Sequence, residues 1–206
     1  MKDSIKAGIA NSYSYAAYRN LVTNLLQEGK STGNDQSEEI TQYSQLNDTR
    51  MNRLDKTIVV AATVKQQLQQ LETPYIWLVL AEGWCGDAAQ IIPVLNKMAL
   101  ESEKINLRIV LRDENTTLMD LFLTNGARSI PKLIVVQPET FEVLGAWGPR
   151  PSEAIMLIKE YKEKHGVIDE TIKTDLQKWS LQDKGLSTQH EVMAIMASDA
   201  VTVPKN

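Results

Sequence analysis

Residues 10–27 carry Tyr13, Tyr15, Tyr18, Leu21, Val22, Leu25 and Leu26 at spacings near three and four, which predicts one amphipathic helix ended by Gly29. The polar stretch Lys30–Ser37 reads as a linker. From Glu38 to Leu71 the apolar residues, among them Ile40, Tyr43, Leu54, Val64 and Leu68, keep helical spacing. Asn47–Thr49 marks the expected break between two helices there.

The pattern changes after Pro74. Tyr75–Ala81 is short and almost continuously apolar, as expected of a strand buried on both faces of a parallel sheet. Residues 85–102 stay apolar over a length no strand needs, so they predict a helix that Pro93 should bend. Asn106–Arg112 reads as a strand and Glu114–Thr124 as a helix stopped by Asn125–Gly126. Lys132–Gln137 and Thr140–Trp147 read as a hairpin, and Ser152–Lys164 as a closing helix with Ser152 as its N-cap. The order β-α-β-α-β-β-α describes an α/β domain in which crossovers precede an antiparallel pair, giving a mixed sheet. We place this domain at residues 72–165, between an N-terminal helical extension at 1–71 and a C-terminal helical tail at 166–206. The tail reads as helices over Glu170–Leu181 and from near Ser187, with a stop at Lys184–Gly185.

Composition narrows the function classes. With 43% hydrophobic and 23% charged residues and a formal net charge of −4, the chain suits a globular protein and offers nucleic acid no electrostatic attraction. Asn11, Ser12, Ser14, Arg19 and Asn20 interrupt the N-terminal apolar residues, so neither a signal peptide nor a membrane span is expected, and a cytoplasmic location follows. One cysteine, Cys85, excludes an internal disulfide; with only His165 and His190 beside it, no metal-ligand spacing exists and no cofactor is expected.

The chemistry concentrates in Trp84-Cys85-Gly86-Asp87-Ala88-Ala89-Gln90-Ile91-Ile92-Pro93. Cys85 falls where a strand gives way to a helix, and the unpaired N–H groups and dipole of a helix start favour a thiolate. The plainer account is a buried, inert cysteine behaving as a small apolar residue.

The segment resembles the thioredoxin motif W-C-G-P-C followed by a proline five residues past the second cysteine. Trp84, Cys85, Gly86 and Pro93 match; Asp87 and Ala88 depart. The W-C-G-D start resembles in particular a bacterial branch of thioredoxin-like proteins. Gly126-Ala127-Arg128-Ser129-Ile130-Pro131 resembles the loop that ends in the family's cis-proline. The resemblance implies that the β-α-β-α-β-β-α order is a thioredoxin fold, that Cys85 is the nucleophile, and that Trp84, Gly86, Asp87, Ile130 and Pro131 form a substrate groove. Arg128 would favour the thiolate if it stands near. Asp87 would either move a proton or cap the helix, and capping is the safer reading. The family's buried strand acid has no counterpart, since Leu78-Val79-Leu80 occupies that place and Glu82 follows the strand.

Ala88 stops a dithiol cycle halfway, because no second sulfur resolves the mixed disulfide. Two functions follow: monothiol exchange through Cys85, with a protein or low-molecular-weight thiol as partner, or a non-enzymatic binding module built on the same groove. A thiol peroxidase or redox sensor ranks third. Trp147-Gly148-Pro149-Arg150-Pro151 and the Arg50-Met51-Asn52-Arg53 run have bland readings, a strand end before a helix and a solvated helix face. Oligomeric state is not legible.

Overall fold

A computed structural model of the chain describes residues 1–200, with side chains to residue 197. Four strands, β1 (Tyr75–Ala81), β2 (Ile105–Leu111), β3 (Lys132–Val136) and β4 (Val143–Trp147), form one mixed sheet in the order β2-β1-β3-β4. β1 pairs parallel with β2 from Tyr75↔Ile105 to Ala81↔Leu111, and antiparallel with β3 from Ile76↔Val136 to Leu80↔Lys132. Its continuous apolar run is explained by this central position: Trp77, Leu78, Val79, Leu80 and Ala81 are all fully buried.

Nine helices are described: α1 (Lys2–Ala10), α2 (Tyr15–Gln27), α3 (Glu38–Thr57), α4 (Ala62–Gln69), α5 (Gly86–Ala99), α6 (Thr116–Met119), α7 (Ser152–His165), α8 (Glu170–Asp183) and α9 (Leu186–Ala200). The succession β1-α5-β2-α6-β3-β4-α7 is the thioredoxin fold expected from the sequence, with helical extensions at both ends. The last residues of the expected tail, 201–206, lie outside the described residues.

Several element boundaries differ from the sequence reading, each for a tertiary reason. The helix expected over 10–27 starts only at Tyr15, and a helix not expected, α1, precedes it, because residues 11–14 leave helical geometry to bridge the edge strand β2: the Tyr13 N–H donates to Ile109 O at 2.7 Å and Ile109 N–H to Tyr13 O at 2.8 Å. This contact covers β2, which would otherwise offer an open edge. The break expected at Asn47–Thr49 is absent and α3 runs unbroken to Thr57, since the Asn47 side chain is spent on a distant backbone group rather than on its own. The second helix begins only at Ala62. The helix expected over 114–124 shrinks to four residues, as Thr124 and Ala127 exchange hydrogen bonds and pull the chain into a turn. β4 starts at Val143 rather than Thr140, after Phe141 at φ +57°. α5 continues through Pro93.

The helix α7 has Pro151, not Ser152, at its N-cap position. The cap is supplied from far away: Glu191 on α9 accepts the Ser152 N–H at 2.8 Å and the Trp147 indole N–H at 2.7 Å. Gln189, two residues earlier and fully buried, accepts the Ala61 N–H at 2.8 Å and donates to Val59 O at 3.1 Å, tying α9 to the α3–α4 connection. One apolar core therefore takes in Ile5, Tyr18 and Val22 from the N-terminal helices and Val192, Met193 and Met196 from α9 together with the sheet.

Replacing Gln189 by Leu leaves the Ala61 N–H and Val59 carbonyl without their partner, and stability should fall by about 2 kcal/mol. The measurement is urea unfolding, where the midpoint drops at unchanged slope; an unmoved midpoint would show that water replaces the clamp.

Candidate functional site

The site is assembled where β1 ends. Residues 82–85 turn sharply, the Cys85 N–H donating to Glu82 O at 3.1 Å, and α5 starts at Gly86 with Cys85 as its N-cap residue. Gly83 in the middle of this turn is held on both sides by the N-terminal part of the chain. Its N–H donates to Thr32 Oγ1 at 2.8 Å, and its carbonyl accepts from Asn47 Nδ2 at 3.0 Å. A side chain at Gly83 would press on Val22 and Thr32 at 3.3–3.5 Å. The stretch expected as an idle linker thus packs against the site: Ser31 and Thr32 are buried, and Gly33, at φ +81°, lies so close that a Cβ would stand 2.7 Å from the Asp113 carboxylate and 3.1 Å from the Trp84 indole nitrogen.

Trp84 is half-buried, and the Arg112 guanidinium stacks on its ring at 4.7 Å while its Nε donates to Asp113 at 2.7 Å. Beneath it, Glu82 is fully buried; its Oε1 accepts the Asp113 N–H at 2.9 Å, and Thr32 stands beside the carboxyl. Burial pushes this carboxyl up from its ordinary pKa, with the neighbouring Thr32 hydroxyl and the Asp113 N–H opposing. The strand carries no acid, as the sequence shows, but Glu82 is buried one residue beyond it.

Cys85 is 8% exposed, and its Sγ–H donates to Ile130 O at 3.4 Å. Ile130 and Pro131 are buried beside it, and the Ile130–Pro131 and Gly148–Pro149 peptides are both cis. The sequence-derived thiolate is not what this environment favours. Burial first, and the Asp87 carboxylate second, push the Cys85 thiol up to about 12, against the opposing pull of the Ala88 and Asp87 N–H groups and of Arg150. Ala88 fills the second-cysteine position as a buried side chain.

Asp87 does not cap α5. Its carboxylate is held by Arg150, with Nε to Oδ1 at 2.8 Å and an Nη2 to Oδ2 contact of 2.5 Å, both side chains about a third exposed. Burial raises the Asp87 pKa and Arg150 pulls it back down. Arg128 is not the cation of this site: it is exposed and engages Asp120 through two hydrogen bonds of 2.6 and 2.7 Å. Arg150 takes the place in thiol electrostatics that the sequence reading gave to Arg128. The signal for it lay in the Trp147–Pro151 tract, which brings Arg150 back over the start of α5.

Lys132, the residue after Pro131, is buried and donates to Thr124 Oγ1 at 2.6 Å and Gly148 O at 3.0 Å, joining the two proline loops. Gly148, at φ +112°, has no room for a side chain, since a Cβ would fall 2.3 Å from Pro131 O. Trp84, Cys85, Gly86, Asp87, Ile130 and Pro131 thus gather at one end of the sheet, and Arg128 does not join them. Among the described residues no cluster of His, Cys, Asp and Glu is placed to hold a metal ion, and no helix is long and apolar enough to cross a membrane.

A family model described as Thioredoxin matches residues 33–162. The crystal structure of a protein of unknown function from Pseudomonas aeruginosa is similar with a TM-score of 0.58 at 18% identity, covering 90% of this chain and 98% of that one. The crystal structure of an HIV epitope scaffold is similar at 0.54 and 19% identity, covering 90% and 99%. At such identities the two likenesses speak to fold alone. No curated protein matches the chain. The family match spans well over half of the sequence and includes the Gly33 contact, the Trp84–Asp87 turn and the Pro131 loop, and the chain belongs to the thioredoxin family.

Proposed function

We propose that this protein is a thioredoxin-fold binding module of the W-C-G-D type, recognising a protein segment at the groove flanked by Trp84, Ile130 and Pro131, and that Cys85 serves there as a thiol rather than a thiolate. The observation that carries the reading is the state of Cys85: buried, hydrogen-bonded to Ile130 O, and pushed up to about 12, two residues from a carboxylate. At neutral pH a thiol of that pKa supplies about one thiolate in 100,000 molecules, too little for exchange to depend on it. Ala88 removes the resolving sulfur as well, so each step of a dithiol cycle lacks its reagent.

A second reading, monothiol exchange with an external resolving thiol, is favoured by one feature: the Asp87 and Ala88 N–H groups lie at Sγ, where they would hold a thiolate once formed. The two readings separate on alkylation. Iodoacetamide trapping of the native protein across pH should give a midpoint well above 8.5, the value of the unfolded chain, and a partner retained on the immobilised protein should remain bound to Cys85→Ser. A native midpoint near or below 7 together with loss of capture by Cys85→Ser would establish exchange instead.

The same burial links Cys85 to stability at high pH. The unfolded thiol ionises near 8.5 and the folded one near 12, so the folded state binds this proton more tightly. Its contribution is intact below about pH 8.5 and is lost as pH rises toward 12, at up to about 1.4 kcal/mol per pH unit. Urea unfolding between about pH 8 and 10.5 should show the native protein losing stability more steeply than Cys85→Ala; parallel curves would contradict a raised thiol pKa.

A further inference from the structure

Beside the start of α5 lies a cavity of about 370 Å³, walled by α3, α8 and the Trp84–Asp87 turn. Its volume falls in the range of small-molecule sites. One wall is apolar: Tyr43 and Leu46 from α3, 42% and 50% exposed, face Leu176 of α8 across it. The other wall carries charge of one predominant sign. Arg50, Arg150 and Lys173 line the cavity against a single carboxylate, Asp87.

The pairing of these charges is uneven. Arg150 and Asp87 neutralise each other through two contacts, and Lys173 reaches Glu170 at the surface. Arg50 has no such partner: among the described residues no carboxylate stands within ion-pair distance of it, and its Nη1 donates to the amide oxygen of Asn47 at 2.8 Å. The guanidinium is half-buried over the first turn of α5, where Nη1 lies 3.4 Å from the position of a Cβ on Gly86, so glycine there leaves it room. Burial, and the nearby Arg53, lower its pKa, while Asp87 supports the charge. Even so, an arginine stays protonated, so the cavity holds one cation without a carboxylate partner and with donors to spare.

We propose that this cavity binds a small organic carboxylate, whose anionic head engages the Arg50 guanidinium and whose apolar body lies against Tyr43, Leu46 and Leu176. A carboxylate matches the single uncompensated charge and the planar fork of donors. A phosphate monoester, with close to two charges, would need a second free cation, and the Arg150 guanidinium is already committed to Asp87. Neither the thiol nor the Pro131 loop lines the cavity, which shares the Trp84–Asp87 turn with the groove proposed above.

The test uses the full chain with 4-phenylbutyrate as probe, 4-phenyl-1-butanol as its uncharged counterpart and inorganic phosphate as a bare anion. Binding is followed by isothermal titration and by the Trp84 indole N–H resonance, assigned with Trp84→Phe. The acid should bind saturably and shift that resonance, with the alcohol and phosphate each at least tenfold weaker. Arg50→Gln should weaken the acid at least tenfold and leave the alcohol unchanged, whereas Leu46→Asp, on the exposed part of α3, should weaken both. Unchanged circular dichroism and thermal unfolding of the two variants establish that they are folded. The proposal is overturned by the absence of saturable binding of the acid, by equal affinity for acid and alcohol, by stronger binding of phosphate, or by a folded Arg50→Gln that binds the acid as the native protein does.

Discussion

Both backbone hydrogen-bonding groups of Gly83 are satisfied by residues that precede the sheet in sequence, Thr32 and Asn47. A strand-to-helix turn buried at the end of a sheet has no ladder partner left for its middle residue, and an unpaired group there costs on the order of 1–3 kcal/mol. The turn that presents Trp84 and Cys85 is therefore completed only when the loop after α2 and the middle of α3 are in place. This explains why the N-terminal helices share one apolar core with the sheet, and why the loop over residues 31–33 cannot serve as a mere connector.

The electrostatics of the site turn on a contest between desolvation and local dipoles. A helix start stabilises an anion by about 0.3–1 kcal/mol, up to about 2 when partly buried. Raising a thiol from about 8.5 to about 12 corresponds to roughly 4–5 kcal/mol against ionisation. That net shift already includes the opposing N–H groups, so burial, with Asp87 second, outweighs the helix start. Arg150 offsets only part of the Asp87 effect on the thiol, so the site holds a protonated Cys85 beside a paired Asp87, while Arg50 at the same helix start lacks a carboxylate partner.

Much of the fold was legible because its strongest constraints are local or periodic. Tyr75–Ala81 is apolar at every position but one, which only a strand covered on both faces requires, and its bounds are those of β1. Lys184 and Gly185, both at positive φ, end α8 where the Lys-Gly pair was read as a stop. Asn47 misled for the opposite reason: an asparagine within a helical pattern resembles a breaker, and only the three-dimensional neighbour Gly83 reveals why it is tolerated in α3. The cap of α7 misled in the same way, since Ser152 is the usual residue type but Glu191, far along the chain, provides the acceptor.

For the candidate site, the sequence by itself determined the chemical inventory: one thiol, no second sulfur, a proline after Ile130, an acid at 87. Those are facts of residue type, and no folding alters them. What the tertiary structure decided is how each group is charged and to whom it is bound. Arg128 and Arg150 are equally cationic in the sequence, and it is the hairpin and the Gly148–Pro149 corner that bring the second to Asp87 while the first turns to Asp120. Whether Cys85 is an anion, whether Glu82 is buried, and whether Arg50 keeps a counter-charge all depend on solvent exclusion and on distances between residues remote in the chain. Coulombic and desolvation energies are set by three-dimensional separation and burial, which residue order specifies only through the completed fold.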